Sequence, residues 1–251
     1  MTKNVNKDTE KQTLMLEGGR ILSGVRQALA DSVRPGTALI ELEELARRLI
    51  AKAGAKPSFT MVPGYEYATC LSVNDGVVHG IPSGRKLMTG DLVSIDIGVY
   101  FKGYHTDTAT TVIAGKGRSI DRLFVQTGQR ALSKAINQAR AGKRVGDISF
   151  AIQQEVETAG YSCVRSLSGH GIGRELHEEP AVPCLLFEEV EKTPLLQTGQ
   201  ALAIEVIYTM GGHELTLQDD GWTLTTSDAS VAGLFEKTVM ITEGSPLMIT
   251  K

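Results

Sequence analysis

The sequence predicts an α+β fold of two similar halves facing each other, and three observations carry the prediction. First, Arg34-Pro35-Gly36 opens an amphipathic stretch that closes at Ala53-Gly54, and Arg140-Ala141-Gly142 opens another that closes at Ala159-Gly160, an offset of 106 from Arg34 to Arg140. Second, Thr89-Gly90-Asp91-Leu92-Val93-Ser94-Ile95-Asp96 is echoed by Thr198-Gly199-Gln200-Ala201-Leu202-Ala203-Ile204-Glu205, an offset of 109 from Thr89 to Thr198, and both copies end on a carboxylate. Third, His79-Gly80-Ile81 resembles His170-Gly171-Ile172 at an offset of 91, which requires an insertion after His170. Solenoid units run to about 20–50 residues, so a period twice that length describes paired halves instead. They cover about residues 34–115 and 140–245.

Residues 1–10 are polar and read as a disordered lead-in to a single domain over 11–251. Leu14, Ile21, Leu22, Val25 and Leu29 have helical spacing, and Arg34-Pro35-Gly36 ends that helix. Thr37 stands where an N-cap is wanted for a second helix, whose face is Leu42, Leu45, Leu49 and Ile50 and whose stop is Gly54. Leu92 to Phe101 alternates Val93, Ile95, Ile97 and Val99 on one face, and Lys102-Gly103 supplies a hairpin turn into a strand from Thr106 to Ile113. Asp96 and Asp107 therefore lie on the two arms of one hairpin. Asp96 points away from the apolar face, because strand side chains alternate. Ser119 is placed to cap a third helix running through Ala139, with Phe124, Gly128, Leu132 and Ile136 in register, and a fourth starts near Gly146 and ends at Gly160. The β-rich runs Ala201 to Met210 and Leu234 to Thr242 carry Glu205 and Glu236.

Composition narrows the function classes. With 251 residues, 41% hydrophobic, 22% charged and a net charge of −3, the chain has a normal soluble balance and no basic surplus for nucleic acid or anionic membrane. No apolar run approaches the ~20 residues of a membrane span, and the polar start lacks the apolar core of a signal peptide. Cys70, Cys163 and Cys184 are an odd number without paired spacing, which suits a reducing compartment, so the cytoplasm is expected.

Asp96, Asp107, His170, Glu205 and Glu236 fall on or beside predicted strands. Any one of them alone reads most simply as a solvated or ion-paired acid. Four strand carboxylates brought together without cations would repel one another and raise their own pKa values, so such a cluster needs positive charge. Two divalent ions supply it. Carboxylate oxygens with a single imidazole suit Mn, Fe, Co or Zn about 3.5–4 Å apart, and no thiolate takes part.

Ser72-Val73-Asn74-Asp75-Gly76-Val77-Val78-His79-Gly80-Ile81-Pro82, the Asp96 to Asp107 hairpin, Gly169-His170-Gly171-Ile172-Gly173 with His177-Glu178-Glu179-Pro180, Ile204-Glu205, and Asp220-Gly221-Trp222 before Phe235-Glu236 give the chain a close resemblance to the type I methionine aminopeptidases. It runs from about residue 14 to the end. It implies a pita-bread fold, a curved antiparallel sheet with helices on its outer face, and hydrolytic removal of an initiator methionine ahead of a small second residue. It implies that Asp107 and Glu236 bridge two metal ions, that Asp96 chelates one, and that His170 and Glu205 complete the other. Glu205 would shuttle the proton, and His79 and His177 would bind the scissile amide and the developing oxyanion. Tyr65, Cys70 and Trp222 would enclose the methionine side chain. The implied partners are N-terminal segments of nascent polypeptides, with the ribosome as a meeting place, and the implied state is a monomer.

Four residues depart from the family pattern. Val206 replaces a proline and should let its strand pair more regularly. Lys237 replaces a histidine, but a neighbour of Glu236 on a strand faces the other way. Leu176 stands where an aromatic often closes the methionine pocket, and Glu66 replaces a proline beside Tyr65. Of the remaining histidines, His105 shares strand parity with Asp107 and reads as packing more readily than as support for the ligands, and His213 reads as a surface residue. Two other activities compete: an Xaa-Pro peptidase, which shares the metal set but normally carries a further N-terminal domain, and a non-catalytic peptide-binding module, whose ligands would be expected to be lost.

Overall fold

The computed structural model describes residues 2–251, and side chains from residue 9 onward. Helix α1 runs over Thr2–Ser32, so residues 2–10, expected as a disordered lead-in, form its first turns; Met1 lies outside the described residues. Its buried stripe is Met15, Leu22, Val25 and Leu29, with Leu14 and Ile21 at the margin. Helix α2 covers Leu39–Lys52. Its cap is Ala38, whose N–H donates to Glu41 Oε2 at 3.1 Å. Thr37, the expected cap, instead turns its hydroxyl back to the Ser32 carbonyl at 3.2 Å.

Among the described residues thirteen strands follow or intervene. They are β1 (Lys56–Pro57), β2 (Thr69–Val73), β3 (Gly76–Val78), β4 (Leu92–Phe101), β5 (Tyr104–Ile113), β6 (Ser162–Cys163), β7 (Ser168–Gly171), β8 (Glu178–Pro183), β9 (Ala201–Thr209), β10 (Leu215–Leu217), β11 (Leu224–Thr226), β12 (Ala232–Met240) and β13 (Leu247–Met248). Helices α3 (Ser119–Ile136) and α4 (Val145–Thr158) lie between β5 and β6. Helix α3 is capped from Arg118, whose N–H donates to Asp121 Oδ2 at 2.8 Å, so Ser119 is its first residue rather than its cap. The expected Lys102-Gly103 turn joins β4 to β5, both residues having positive φ (47° and 96°), as the right-handed twist of a two-residue hairpin demands.

The principal sheet is antiparallel, in the order β1-β4-β5-β12-β9-β7-β8, with β2 on β4, β6 on β9 and β13 on β12. The duplication is visible in its register. Lys56 pairs with Tyr100 in the first half, and Ser162 with Thr209 in the second, reproducing the offsets of 106 and 109. Ser72 pairs with Ser94, and His170 with Ala203, whose offset from Ser94 is again 109. The structural counterpart of His170 is therefore Ser72, and the His79/His170 tripeptide match is not an equivalence of position. The extra length after His170 is used for β8 and the turn over Val190–Lys192. In the second half β10 and β11 replace the tight hairpin and form a small separate sheet, in which β11 pairs with β3.

Helices α1 and α2 bury the outer face of the first half against Val93, Ile95, Ile97 and Val99, and α3 and α4 bury that of the second against Ile204, Val206 and Phe235. At about 25 cal/mol per Å², these apolar faces supply the main favourable term in folding. Gly128 on α3 sits where a Cβ would lie 2.4 Å from the Phe235 ring, so a larger residue would push that helix off the sheet. Val206 pairs with Phe235 within an unbroken ladder from Ala232 to Met240, the regularity expected of valine there. No helix among the described residues is long and apolar enough to cross a membrane.

Candidate metal centre

The inner face of the sheet carries the site. Asp96 on β4 pairs with Ala109 on β5, Ala109 with Glu236 on β12, and Glu236 with Glu205 on β9, so three carboxylates share one row across four strands. Asp107 lies two residues from Ala109 on the same face, and His170 enters from β7 opposite Ala203. All five line one cavity of about 450 Å³, together with His79, His177, Tyr65, Cys70, Leu176 and Trp222. Every site residue expected from the sequence is thus brought to one place.

Its closest cluster is Asp107, His170 and Glu236, which offer ligand atoms all within 4.8 Å of one another. His170 Nε2 lies 3.7 Å from Glu205 Oε1. His170 Nδ1 is 2.8 Å from the Gly171 carbonyl, which can only accept, so Nδ1 carries the proton and Nε2 presents its lone pair to the cavity. Glu236 Oε1 is buried without a hydrogen-bond partner among the described residues, an arrangement that costs free energy unless a cation completes it.

The electrostatics say the same. No lysine or arginine is among the residues described as lining the cavity. Burial raises the Asp107 carboxyl to about 7, and burial with the Asp107 charge raises Glu205 to about 8. Asp96 and Glu236 are pushed well above the usual carboxylate range, chiefly by burial and then by their acidic neighbours. Burial holds His170 down to about 4, and lowers His79 and His177 as well, so all three imidazoles are neutral at pH 7. Massed buried acids beside a neutral imidazole with a free lone pair make a donor set that suits a divalent cation, whose charge would favour their ionised forms.

Strand geometry sets most of these side chains, but the seam between the halves needed more. Strands β5 and β12 share few ladder pairs, and three threonine hydroxyls bridge them. Thr238 Oγ1 accepts from Asp107 N–H at 2.9 Å and donates to the Asp107 carbonyl at 2.8 Å. Thr108 Oγ1 donates to the Glu236 carbonyl at 2.9 Å, and Thr111 Oγ1 to that of Leu234 at 3.0 Å. In the sequence they carry no signal, since a threonine in a strand is unexceptional. Thr238→Val keeps the shape and removes both bonds to Asp107. The expected result is a loss of roughly 1–3 kcal/mol of stability and 10–100-fold in metal affinity, read by thermal melting and metal titration.

The pocket beside the ligands is built on another missed residue. Glu43 on α2 is buried, and its carboxylate accepts from Ala68 N–H (2.8 Å), Thr69 N–H (3.0 Å), Thr69 Oγ1 (2.6 Å) and Arg47 Nε (2.6 Å). It thereby fixes the segment that presents Cys70 and accepts the Tyr65 hydroxyl at the Thr69 carbonyl, 2.8 Å away. The i, i+4 spacing of Glu43 and Arg47 was its visible sign. Trp222 stands at the expected turn tip, where Asp220 Oδ1 accepts from Trp222 N–H and Thr223 N–H, and its ring meets Tyr65 edge-on at 5.0 Å. Burial pushes the Cys70 thiol well up, so it is a neutral wall and not a nucleophile.

The departures divide. Leu176 lines the cavity, whereas Glu66 is exposed and offers its carbonyl to Arg47. Lys237 faces away from the ligands, as strand alternation required, and lines a different cleft. His79 has a positive φ of 57°, strain that holds its ring into the cavity, and a Cβ on the following Gly80 would lie 2.3 Å from the Leu71 carbonyl. His105 is buried with Nδ1 2.9 Å from Ser58 Oγ, a packing role, and His213 pairs with Glu214 at 2.9 Å.

A curved sheet with a carboxylate-rich cavity at the seam of two duplicated halves defines a pita-bread metallohydrolase. The chain belongs to metallopeptidase family M24, whose model matches residues 13–243. It is 40% identical over 242 residues to a methionine aminopeptidase of Aquifex aeolicus, with 94% of each chain covered. The crystal structure of a methionine aminopeptidase from Thermotoga maritima superposes with a TM-score of 0.93 at 35% identity, covering 96% of this chain and 97% of the other. A prolidase from Pyrococcus furiosus shares the fold at a TM-score of 0.77 and 22% identity, with 96% of this chain covering 64% of that longer one.

Proposed function

We propose that this protein removes the N-terminal methionine from nascent polypeptides and peptides whose second residue is small. The observation that carries the reading is the convergence of Asp96, Asp107, His170, Glu205 and Glu236 on one cavity, where a buried Glu236 oxygen is left without a partner. It is supported by the likeness to relatives named methionine aminopeptidases. The donor set fits divalent metal, two ions of Co, Mn, Fe or Zn, which Asp96, Asp107, His170, Glu205 and Glu236 would hold. When bound, such ions supply Lewis acidity, stabilising charge at the scissile carbonyl and acidifying the attacking water.

The chain's own residues do the rest. Glu205, opposite Glu236 and beside His170, takes the proton from water and passes it to the leaving amine. His79 and His177, neutral through burial, offer N–H groups to the scissile amide and to the oxyanion that develops from it. Tyr65, Cys70 and Trp222 enclose the unbranched methionine side chain, with Leu176 completing the wall. The acidic end of the cavity receives the free α-amino group, which limits cleavage to one terminal residue. The protein acts as a cytoplasmic monomer on chains emerging from the ribosome.

His79→Ala or His177→Ala should lower kcat by roughly 10²-fold while metal content per chain stays unchanged, since each removes a stabiliser of charge and no ligand. Loss of metal in either variant would make that histidine a ligand instead. The whole reading is tested by loading the protein with each metal and offering peptides that begin Met-Ala, Met-Leu, Leu-Ala and Xaa-Pro. Cleavage confined to Met-Ala is expected; cleavage of the Xaa-Pro peptide would assign the protein to the other branch of the fold.

A further inference from the structure

The halves also meet on the outer face of the sheet, directly behind the carboxylate row. Helix α1 covers the first half and α3 the second, and a cleft of about 610 Å³ lies between them, floored by β5 and β12. Two half-buried cations enter it, Arg26 from α1 and Lys237 from β12. The Arg26 guanidinium donates to Thr108 Oγ1 at 3.3 Å and to the Lys251 main-chain oxygen at 2.7 Å. Lys237 has no hydrogen-bond or ion-pair partner among the described residues. Thr110, Gln129, Ser133 and Asn137 add neutral hydrogen-bonding groups, and no Asp or Glu is among the residues described as lining the cleft.

Arg26 has acceptors for two of its donors, but Lys237 gives up hydration beside that like charge with no partner of its own, an unfavourable arrangement that an anion would relieve. A tetrahedral oxyanion meets every requirement. It neutralises both cations, accepts the ammonium and guanidinium donors in charge-assisted hydrogen bonds, and leaves oxygens for the amide and hydroxyl side chains. We propose that this cleft is a binding site for a small phosphate-bearing anion, with Lys237 and Arg26 as its charged contacts and Ser133 and Asn137 on its α3 wall. The site is separate from the metal centre, because Lys237 and Glu236 are consecutive on β12 and point to opposite faces. It does not depend on which peptide is cleaved.

The test is calorimetric titration of the metal-loaded full chain with inorganic phosphate and, separately, glycerol phosphate, at constant ionic strength. One-to-one saturable binding is expected, weakened roughly tenfold or more in Lys237→Gln and retained in Lys237→Arg. Ser133→Glu, which puts a negative charge on the exposed wall of the cleft, should abolish it even if Lys237→Gln fails to fold. Tighter binding of the monoester would identify a phosphorylated metabolite, and equal or tighter binding of inorganic phosphate would identify the free ion. No saturable binding, or binding unchanged by Lys237→Gln and Ser133→Glu but lost in Asp107→Ala, would overturn the proposal, the last placing phosphate at the metals.

Discussion

Replacing Glu236 by alanine, or Asp107 by alanine, is expected to abolish turnover, lowering kcat by roughly 10³-fold or more, and to strip metal from the protein. Each residue sits between ligands contributed by the two halves. Glu236 pairs directly with Glu205 and shares a row with Asp96, and Asp107 offers its oxygen to the same tight cluster as His170. On the proposed reading, losing either would weaken the hold on the metal, and about 4 kcal/mol of lost charge stabilisation at the carbonyl corresponds to a thousandfold. The variant Glu236→Gln separates this from a folding defect. It preserves shape but removes one of four mutually repelling carboxylates and the demand of the unpartnered Oε1 for a cation. The metal-free variant should then melt a few degrees above the metal-free parent, since relief of about 1 kcal/mol moves the midpoint by about 2–4 °C in a chain of this size. Activity lost while the metal-free fold is strengthened marks a functional ligand. Full activity with undiminished metal in any of these variants would refute the two-metal reading.

Much of this site was legible because strands declare their faces. Asp96 could be turned away from Ile95 and Ile97 by parity alone, and Lys237 away from Glu236 by the same rule; both hold. The repeat offsets of 106 and 109 are the sheet's own register offsets. The third offset misled, because three identical letters need not occupy equivalent places: His79 sits in a strained loop after β3, and His170 is in β7 opposite Ala203. Helix starts shifted for a local reason. Carboxylates at the third position, Glu41 and Asp121, cap α2 and α3 from inside, so Thr37 and Ser119 were not needed as caps. What no local pattern could reveal is the seam. The pairing of β5 with β12 joins residues more than a hundred positions apart, and its threonine bridges become informative only once the two strands are side by side.

Removing the metals should make stability depend on pH in an unusual direction, and this is the second large effect expected. Most carboxylates in folded proteins are better ionised than in the unfolded chain, so stability rises with pH through their range. Here the shift is reversed: burial raises Asp107 from 3.8 to about 7 and Glu205 from 4.5 to about 8, with Asp96 and Glu236 raised as well. Between the unfolded and folded values the native state binds more protons than the unfolded chain. Stability must then fall as pH rises, by about 1.4 kcal/mol per pH unit for each excess proton. Below pH 6.5 the lowered His170, at about 4, works the other way, because the unfolded imidazole takes up a proton that the native one refuses. Above pH 8 the half-buried Lys237, lowered to about 8, likewise opposes the fall. The clean window is pH 6.5 to 8. Across it the chelated protein should lose several degrees in Tm. The metal-loaded protein, whose carboxylates are already ionised against cations, should stay nearly flat, so the stabilisation by metal widens with pH. Thermal melts with and without chelator at half-unit steps would read the difference directly. A chelated protein whose Tm held steady or rose through that window would mean that the four carboxylates are not massed as the sheet places them.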